Sequence, residues 1–282
     1  MPFCSYTKRG GKGGALACAG PVLIAMAVYA APIFAQRVEP HHEQLTTVPR
    51  DIPDLSGRWA PETCGPDGAT CPFVVADQEY TPWAEKFIAT WDDRVSPRYD
   101  CVQATMPSLA ADPYSFAIHQ LGGRIIFEYE KDDITRTAWL VGEGYEQYAH
   151  TEPTPYDYYL QGHSHARYEG HSLVVETDKY SFNPDGLEDY GGVPSSQHKH
   201  TVERYTRDIN DPSTPADDRL ILEMHVDDNL ILERPIEFRF EYSYQKEPLI
   251  LPYACQLDRA REHVKFADPK QGTSLRDFGG IE

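Results

Sequence analysis

The run PIEFRFEYSY, from Pro235 to Tyr244, places Ile236, Phe238, Phe240, Tyr242 and Tyr244 at every second position. Glu237, Arg239, Glu241 and Ser243 stand between them. Side chains alternate between the two faces of a strand, so one face of this run is aromatic and the other is charged and polar. It reads as a strand with one buried face, and that period sets the expectation for the chain around it.

Working outward, Ser115–Leu121, Arg124–Glu130, Thr135–Val141, His163–Glu169, Ser172–Asp178, Gln197–Asp208 and Arg219–Val226 are also strand-like. Gly122-Gly123 and Lys131-Asp132-Asp133 make tight turns between the first three. Residues 142–161 and 179–195 read as long loops rich in Tyr, Pro, Gly, Asn and Asp. Roughly eight evenly spaced strands without a strong helix between them predict an all-β fold. The expected architecture is a single antiparallel barrel, with a β-sandwich as the alternative. Upstream, Thr81-Pro82 caps and starts a helix. Trp83, Phe87 and Trp91 recur at a spacing of four, so this short helix covers one end or flank of the sheet.

The chain has 282 residues, with 26 Lys and Arg against 44 Asp and Glu, for a formal charge of −18. Such a surface repels phosphate, so a nucleic-acid partner is excluded. Lys8, Arg9 and Lys12 precede an apolar run from Ala15 to Ala35, broken by Gly20, Pro21 and Pro32. This reads as a signal peptide over residues 1–35, with an uncleaved membrane anchor as the alternative. Export to the periplasm or medium follows, and membrane contact is expected only through this segment. Residues 36–53 read as a flexible lead-in, 54–258 as the barrel domain and 259–282 as a polar tail. Cys64, Cys71, Cys101 and Cys255 follow the leader, an even number that predicts two disulfides. Cys64 with Cys71 and Cys101 with Cys255 is one of three possible pairings.

Gly57-Arg58-Trp59 resembles the first-strand signature of lipocalin-like, calycin-type barrels, in which the Trp packs across the barrel base. A longer resemblance covers most of the chain after the leader. The core reads GHSHARYEGHSLVVET from Gly162 to Thr177, and Val202-Glu203-Arg204-Tyr205 follows it. With Asp54-Leu55-Ser56-Gly57-Arg58-Trp59 and Thr81-Pro82-Trp83, this resembles a family of mostly uncharacterised exported bacterial proteins. Its members carry a GHSxGRWEGDTLVVDT-like core. The resemblance implies a shared fold and export, and no stated activity. This chain departs from the pattern at His165, Ala166, Tyr168 and His171.

Residues two apart on a strand share a face, so His163, His165, Arg167 and Glu169 line one side. His198, His200 and Arg204 share a side of a later strand. The same parity puts Ser164 on the opposite face from the histidines. His171 and His225 read as exposed. Two uses follow. His163, His165 and His200 could act as acid–base groups, with Arg167 and Arg204 stabilising negative charge. Alternatively His163, His165, His198 and His200, with Glu169 or Glu203, could hold a divalent transition metal. Tyr168, Phe238 and Phe240 are the expected pocket wall.

The leading functional expectation is an exported small enzyme of isomerase, cyclase, hydratase or lyase type. It would act on an apolar or polycyclic small molecule without an organic cofactor. A non-catalytic lipocalin-like carrier is the alternative, and a metal-dependent lyase or oxygenase is the second.

Overall fold

The computed structural model describes residues 52–62, 78–141, 158–188, 192–209, 218–247, 250 and 254–266. The leader, Cys64 and Cys71 lie outside these residues.

Nine strands close into a barrel in the spatial order β1-β11-β10-β9-β6-β5-β4-β3-β2. These are β1 (Gly57–Pro61), β2 (Phe116–Gln120), β3 (Arg124–Tyr129), β4 (Thr135–Leu140), β5 (His163–Glu169), β6 (Ser172–Asp178), β9 (His200–Asp208), β10 (Arg219–Asp227) and β11 (Ile236–Gln245). Two further strands, β7 (Asn183–Glu188) and β8 (Val193–Ser195), form a separate antiparallel hairpin. The described residues also include three short α-helices, α1 (Pro82–Ala89), α2 (Ser108–Ala111) and α3 (Leu257–His263).

The barrel is mixed, which corrects the expectation of a purely antiparallel one. β4 and β5 run parallel, with Ala138 opposite Ser164 and Leu140 opposite Ala166. Parallel neighbours require a crossover rather than a tight turn, and the long segment between Leu140 and His163 supplies the length. The β7–β8 hairpin lies where a loop was expected. Its NPDGLE and VPS strands lack the alternation and the β-branched residues that announce a strand.

β1 begins at Gly57 and carries Trp59 into the core. Trp59 is fully buried and its Nε1 donates to the Leu55 carbonyl at 3.0 Å. The Arg207 guanidinium lies 5.5 Å from the Trp59 ring and pairs with Asp218 at 2.8 Å. Gly57 is required here: its φ is +135°, and a Cβ would sit 2.6 Å from the Tyr244 ring. Gln120 Oε1 accepts from the Leu55 backbone at 2.6 Å, and Gln120 Nε2 donates to the Tyr168 hydroxyl at 2.9 Å.

α1 begins as its sequence predicts, with the Thr81 hydroxyl accepting from the Ala84 backbone and Pro82 at the first helical position. It buries Ala84 and Phe87, and Phe87 stacks on Trp83 and meets Phe182 edge-on. α1 packs on β8, and α2 packs on β7. Gly192, at the turn of that hairpin, has a φ of +66° and no room for a Cβ against Trp91. Cys101 is bonded to Cys255, which ties the chain beside α3 to the segment after α1.

Among the described residues no helix is long and apolar enough to cross a membrane. No such helix supports the membrane contact expected through the N-terminal segment, which itself lies outside the described residues.

Candidate functional site

The parity that groups the histidines also decides which way they face. On β5, Ser164 and Ala166 are buried while His163, His165 and Arg167 are half-buried and Glu169 is exposed. On β9, Thr201, Glu203 and Tyr205 are buried, while His200, Val202 and Arg204 are half-buried. The histidine face is therefore the outside of the barrel, so His163, His165, Arg167, His200 and Arg204 do not line its interior. Apolar side chains predominate inside, with Arg136, Ser164, Thr177, Thr201 and Glu203 buried among them.

The outer face forms a network of its own. The Arg167 guanidinium donates to Glu169 at 2.7 Å and to Glu176 at 2.5 Å, and Arg204 donates to Glu169 at 2.5 Å. The hydrogen bond to Glu176 and then that to Glu169 hold the Arg167 pKa above its ordinary value. Hydrogen bonds from Arg204 and then Arg167 hold the Glu169 carboxyl below the usual range. Val174 pairs with both Arg167 and Arg204, points outward, and is nonetheless fully buried. Long arginine stems on flanking strands can cover such a residue while their charged heads stay wet. The His163 and His165 rings lie 4.9 Å apart, and His165 pairs with Glu176. His198 is exposed in the turn before β9, with its Nδ1 2.8 Å from Asn229. The structure brings His163 and His165 together and leaves His198 with a different partner. Among the described residues no group of three or more His, Cys, Asp or Glu is arranged to hold a metal ion.

The inner face carries a different constellation. Register puts Tyr168, Leu173, Tyr205, Leu222 and Phe240 in one cross-strand row. The adjacent row holds Ala166, Val175, Glu203, Met224 and Phe238, and the next holds Ser164, Thr177, Thr201, Val226 and Ile236. All three expected pocket residues therefore face inward, in the two rows that hold Tyr205 and Glu203. They are half-buried, whereas their neighbours in those rows are buried. Phe238 and Phe240 stack at 5.9 Å.

Arg136, inward on β4, meets Glu203 as a bidentate pair, Nη2 to Oε1 at 2.6 Å and Nη1 to Oε2 at 3.0 Å. Side-chain exposure is 2% and 0%, so both charges are out of water. Tyr205 donates to Glu203 Oε2 at 2.6 Å, and Arg136 donates to the Tyr129 hydroxyl and to Thr177 Oγ1, each at 3.3 Å. Thr177 shares a hydrogen bond with Ser164 at 2.8 Å. Burial disfavours the Arg136 charge, but Glu203 outweighs it and holds the guanidinium well above its ordinary pKa. Burial, then the Glu203 charge, pushes the Tyr205 hydroxyl well above its ordinary value, and burial pushes Tyr129 up to about 12.

Lys199 sits where this interior meets the β7–β8 hairpin. Its Nζ donates to Thr105 Oγ1 and the Met106 carbonyl at 2.9 Å each and to the Gly186 carbonyl at 3.3 Å. It also lies 4.1 Å from the centre of the Tyr180 ring. Burial pulls its pKa down to about 7, against the Asp228 charge, which favours the ammonium. Asp228 is itself raised by burial, although it accepts from the Ser196 backbone and hydroxyl.

Arg136, Lys199, Glu203 and Tyr205 are the residues the histidine pattern conceals. Lys199 lies between His198 and His200, and Glu203 lies one position before Arg204. Strand parity separates Lys199, Glu203 and Tyr205 from the histidines but does not say which face turns inward, and Arg136 lies on β4, away from both histidine pairs.

The fold and site together define a closed mixed β-barrel with an aromatic inner wall and a buried, hydrogen-bonded ion pair. No family model, curated protein or solved structure matches the chain.

Proposed function

We propose that this protein is an exported calycin-type barrel that binds an apolar small molecule on the inner rows of β9, β10 and β11. The observation that carries the reading is the buried Arg136–Glu203 pair beside inward-facing Tyr205, Phe238 and Phe240. A buried ion pair contributes little net stability over an apolar replacement. Small-molecule sites, by contrast, combine an apolar aromatic wall with a few fixed polar groups. Phe238 and Phe240 at β11 and Tyr168 at β5 are the half-buried members of those rows, so the ligand would enter beside one of these two strands. The buried Trp59 and Gly57 on the first strand support the calycin assignment, and the resemblance to exported bacterial proteins agrees with it. Export is supported by the Cys101–Cys255 bond, since such bonds persist in oxidising compartments.

A second reading is acid–base catalysis on the same ligand. It is favoured by Lys199, whose amine is brought to about 7, the range that suits a general base. It no longer uses the outward histidines. Glu203 is a poor base in this arrangement, because Arg136 and Tyr205 both stabilise its charged form.

The test is uptake of the uncharged apolar dye Nile red, with native mass spectrometry of protein purified without detergent. Dye fluorescence that rises with wild type and is lost in Phe240→Asp, at unchanged circular dichroism, is the expected result. No dye uptake and no retained organic compound in wild type sinks the binding reading. Turnover of an identified ligand by wild type but not by Lys199→Met distinguishes the enzyme from the carrier.

A further inference from the structure

The Arg136–Glu203 pair defines what a ligand's polar end can be. Each Nη of Arg136 donates to a Glu203 oxygen, and each also reaches a hydroxyl, on Tyr129 or Thr177. The remaining donor, the Arg136 Nε–H, is buried and has no hydrogen-bond partner among the described residues. An orphaned donor in a dry interior is costly unless something accepts from it. The guanidinium charge is already matched one-to-one by Glu203, so this donor offers direction without net charge. Nε lies on the far side of the guanidinium from Glu203, so a carboxylate brought to it would be a second buried anion with no cation of its own. Burying such a charge costs far more than burying a neutral carbonyl. Net charge adds to this: the chain as a whole carries −18, which disfavours the approach of an anion.

We infer that the ligand is an uncharged, oxygen-bearing apolar molecule, a ketone or ester rather than a carboxylate, whose carbonyl oxygen accepts from the Arg136 Nε–H. The inference rests on the proposal that the inner rows bind a small molecule. Glu203 then acts as a selectivity residue: it cancels the charge that would otherwise attract a fatty acid. Tyr205 holds the Glu203 carboxylate in the orientation that keeps Nε pointing away from the pair.

The experiment is calorimetric titration of the full chain with 2-dodecanone, dodecanoate and dodecane, which share a chain and differ at one end. Wild type should bind the ketone roughly tenfold tighter than the hydrocarbon, the effect of one hydrogen bond to a charged donor. It should bind dodecanoate more weakly than the ketone by at least that factor. Glu203→Gln, which leaves the guanidinium uncompensated, should invert the order and favour dodecanoate. Arg136→Lys keeps the charge and removes Nε, so its ketone affinity should fall to that of dodecane. Thermal melts of both variants report whether they fold, and the wild-type series stands by itself if they do not. Equal affinity for ketone and dodecane, meaning that water alone satisfies Nε, overturns the inference while keeping the binding proposal. Dodecanoate binding as tightly as the ketone overturns it in the same way. Failure of all three probes to bind overturns both.

Discussion

Glu203 is fully buried, and its two oxygens accept from Arg136 and Tyr205. Removing it strands a guanidinium and a phenol in a dry barrel. Glu203→Ala is expected to lower unfolding free energy by roughly 3–5 kcal/mol, measured by urea denaturation. The double change Arg136→Met with Glu203→Leu removes both charges and should fall within about 1–2 kcal/mol of wild type while losing ligand binding. A double variant as unstable as Glu203→Ala would show that the pair serves the fold rather than the ligand. The outward histidines carry the opposite expectation. His163→Ala, His165→Ala and His200→Ala together should change stability by no more than about 1 kcal/mol and leave dye uptake intact. Lost uptake in that triple variant would return the site to the outer face. At this scale the sequence was half legible. Parity put Ser164 opposite the histidines and put Tyr168, Phe238 and Phe240 on shared faces. Which face turns inward depends on which apolar set is larger across all neighbouring strands, and on β5 and β9 both faces are polar enough to hide it.

Lys199 binds the start of β9 to the β7–β8 hairpin and to the segment before α2. Its pKa falls from 10.5 to about 7 on folding, through burial and with Arg136 adding to it, while Asp228 opposes. Between those values the unfolded chain holds a proton that the folded chain has released, so stability rises with pH across that window. Below about 7 both states are protonated and the contribution is flat at its lowest. Tyr129 and Tyr180, pushed up to about 12 by burial, act in the opposite sense above pH 10, where unfolded phenols ionise first. The expected outcome is a wild-type minus Lys199→Met stability difference that climbs from pH 7 to pH 10, read from denaturation midpoints. A difference flat in pH would mean that the amine keeps its proton throughout. The elements themselves were unequally legible. α1 and the alternating strands were written in their periods, as was the tight-turn meander through β2, β3 and β4. The β7–β8 hairpin and the parallel β4–β5 step were not, because strand pairing across long connections is fixed by barrel closure and not by local pattern.

Cys101 and Cys255 are separated by 154 residues, and the loop they close contains every barrel strand except β1. The bond therefore constrains nearly the whole unfolded barrel. On the chain-entropy model a loop of this length contributes about 5 kcal/mol. In the folded state its local effect is small by comparison. α3 has no buried residue, and its Arg261–Asp100 ion pair is 60% and 62% exposed, of a kind that contributes little. Cys101→Ser with Cys255→Ser should thus act in two separable ways. The urea midpoint should fall, and the slope of unfolding should steepen, because the released chain exposes more surface when it unfolds. Amide exchange in α3 should become fast under conditions where β9 and β10 stay protected, because their inward faces are buried without help from α3. An unchanged slope with a fallen midpoint would place the stabilisation in folded-state contacts of α3. A steeper slope with protected barrel strands would place it in the unfolded chain, as expected for a barrel whose closure depends on few local contacts.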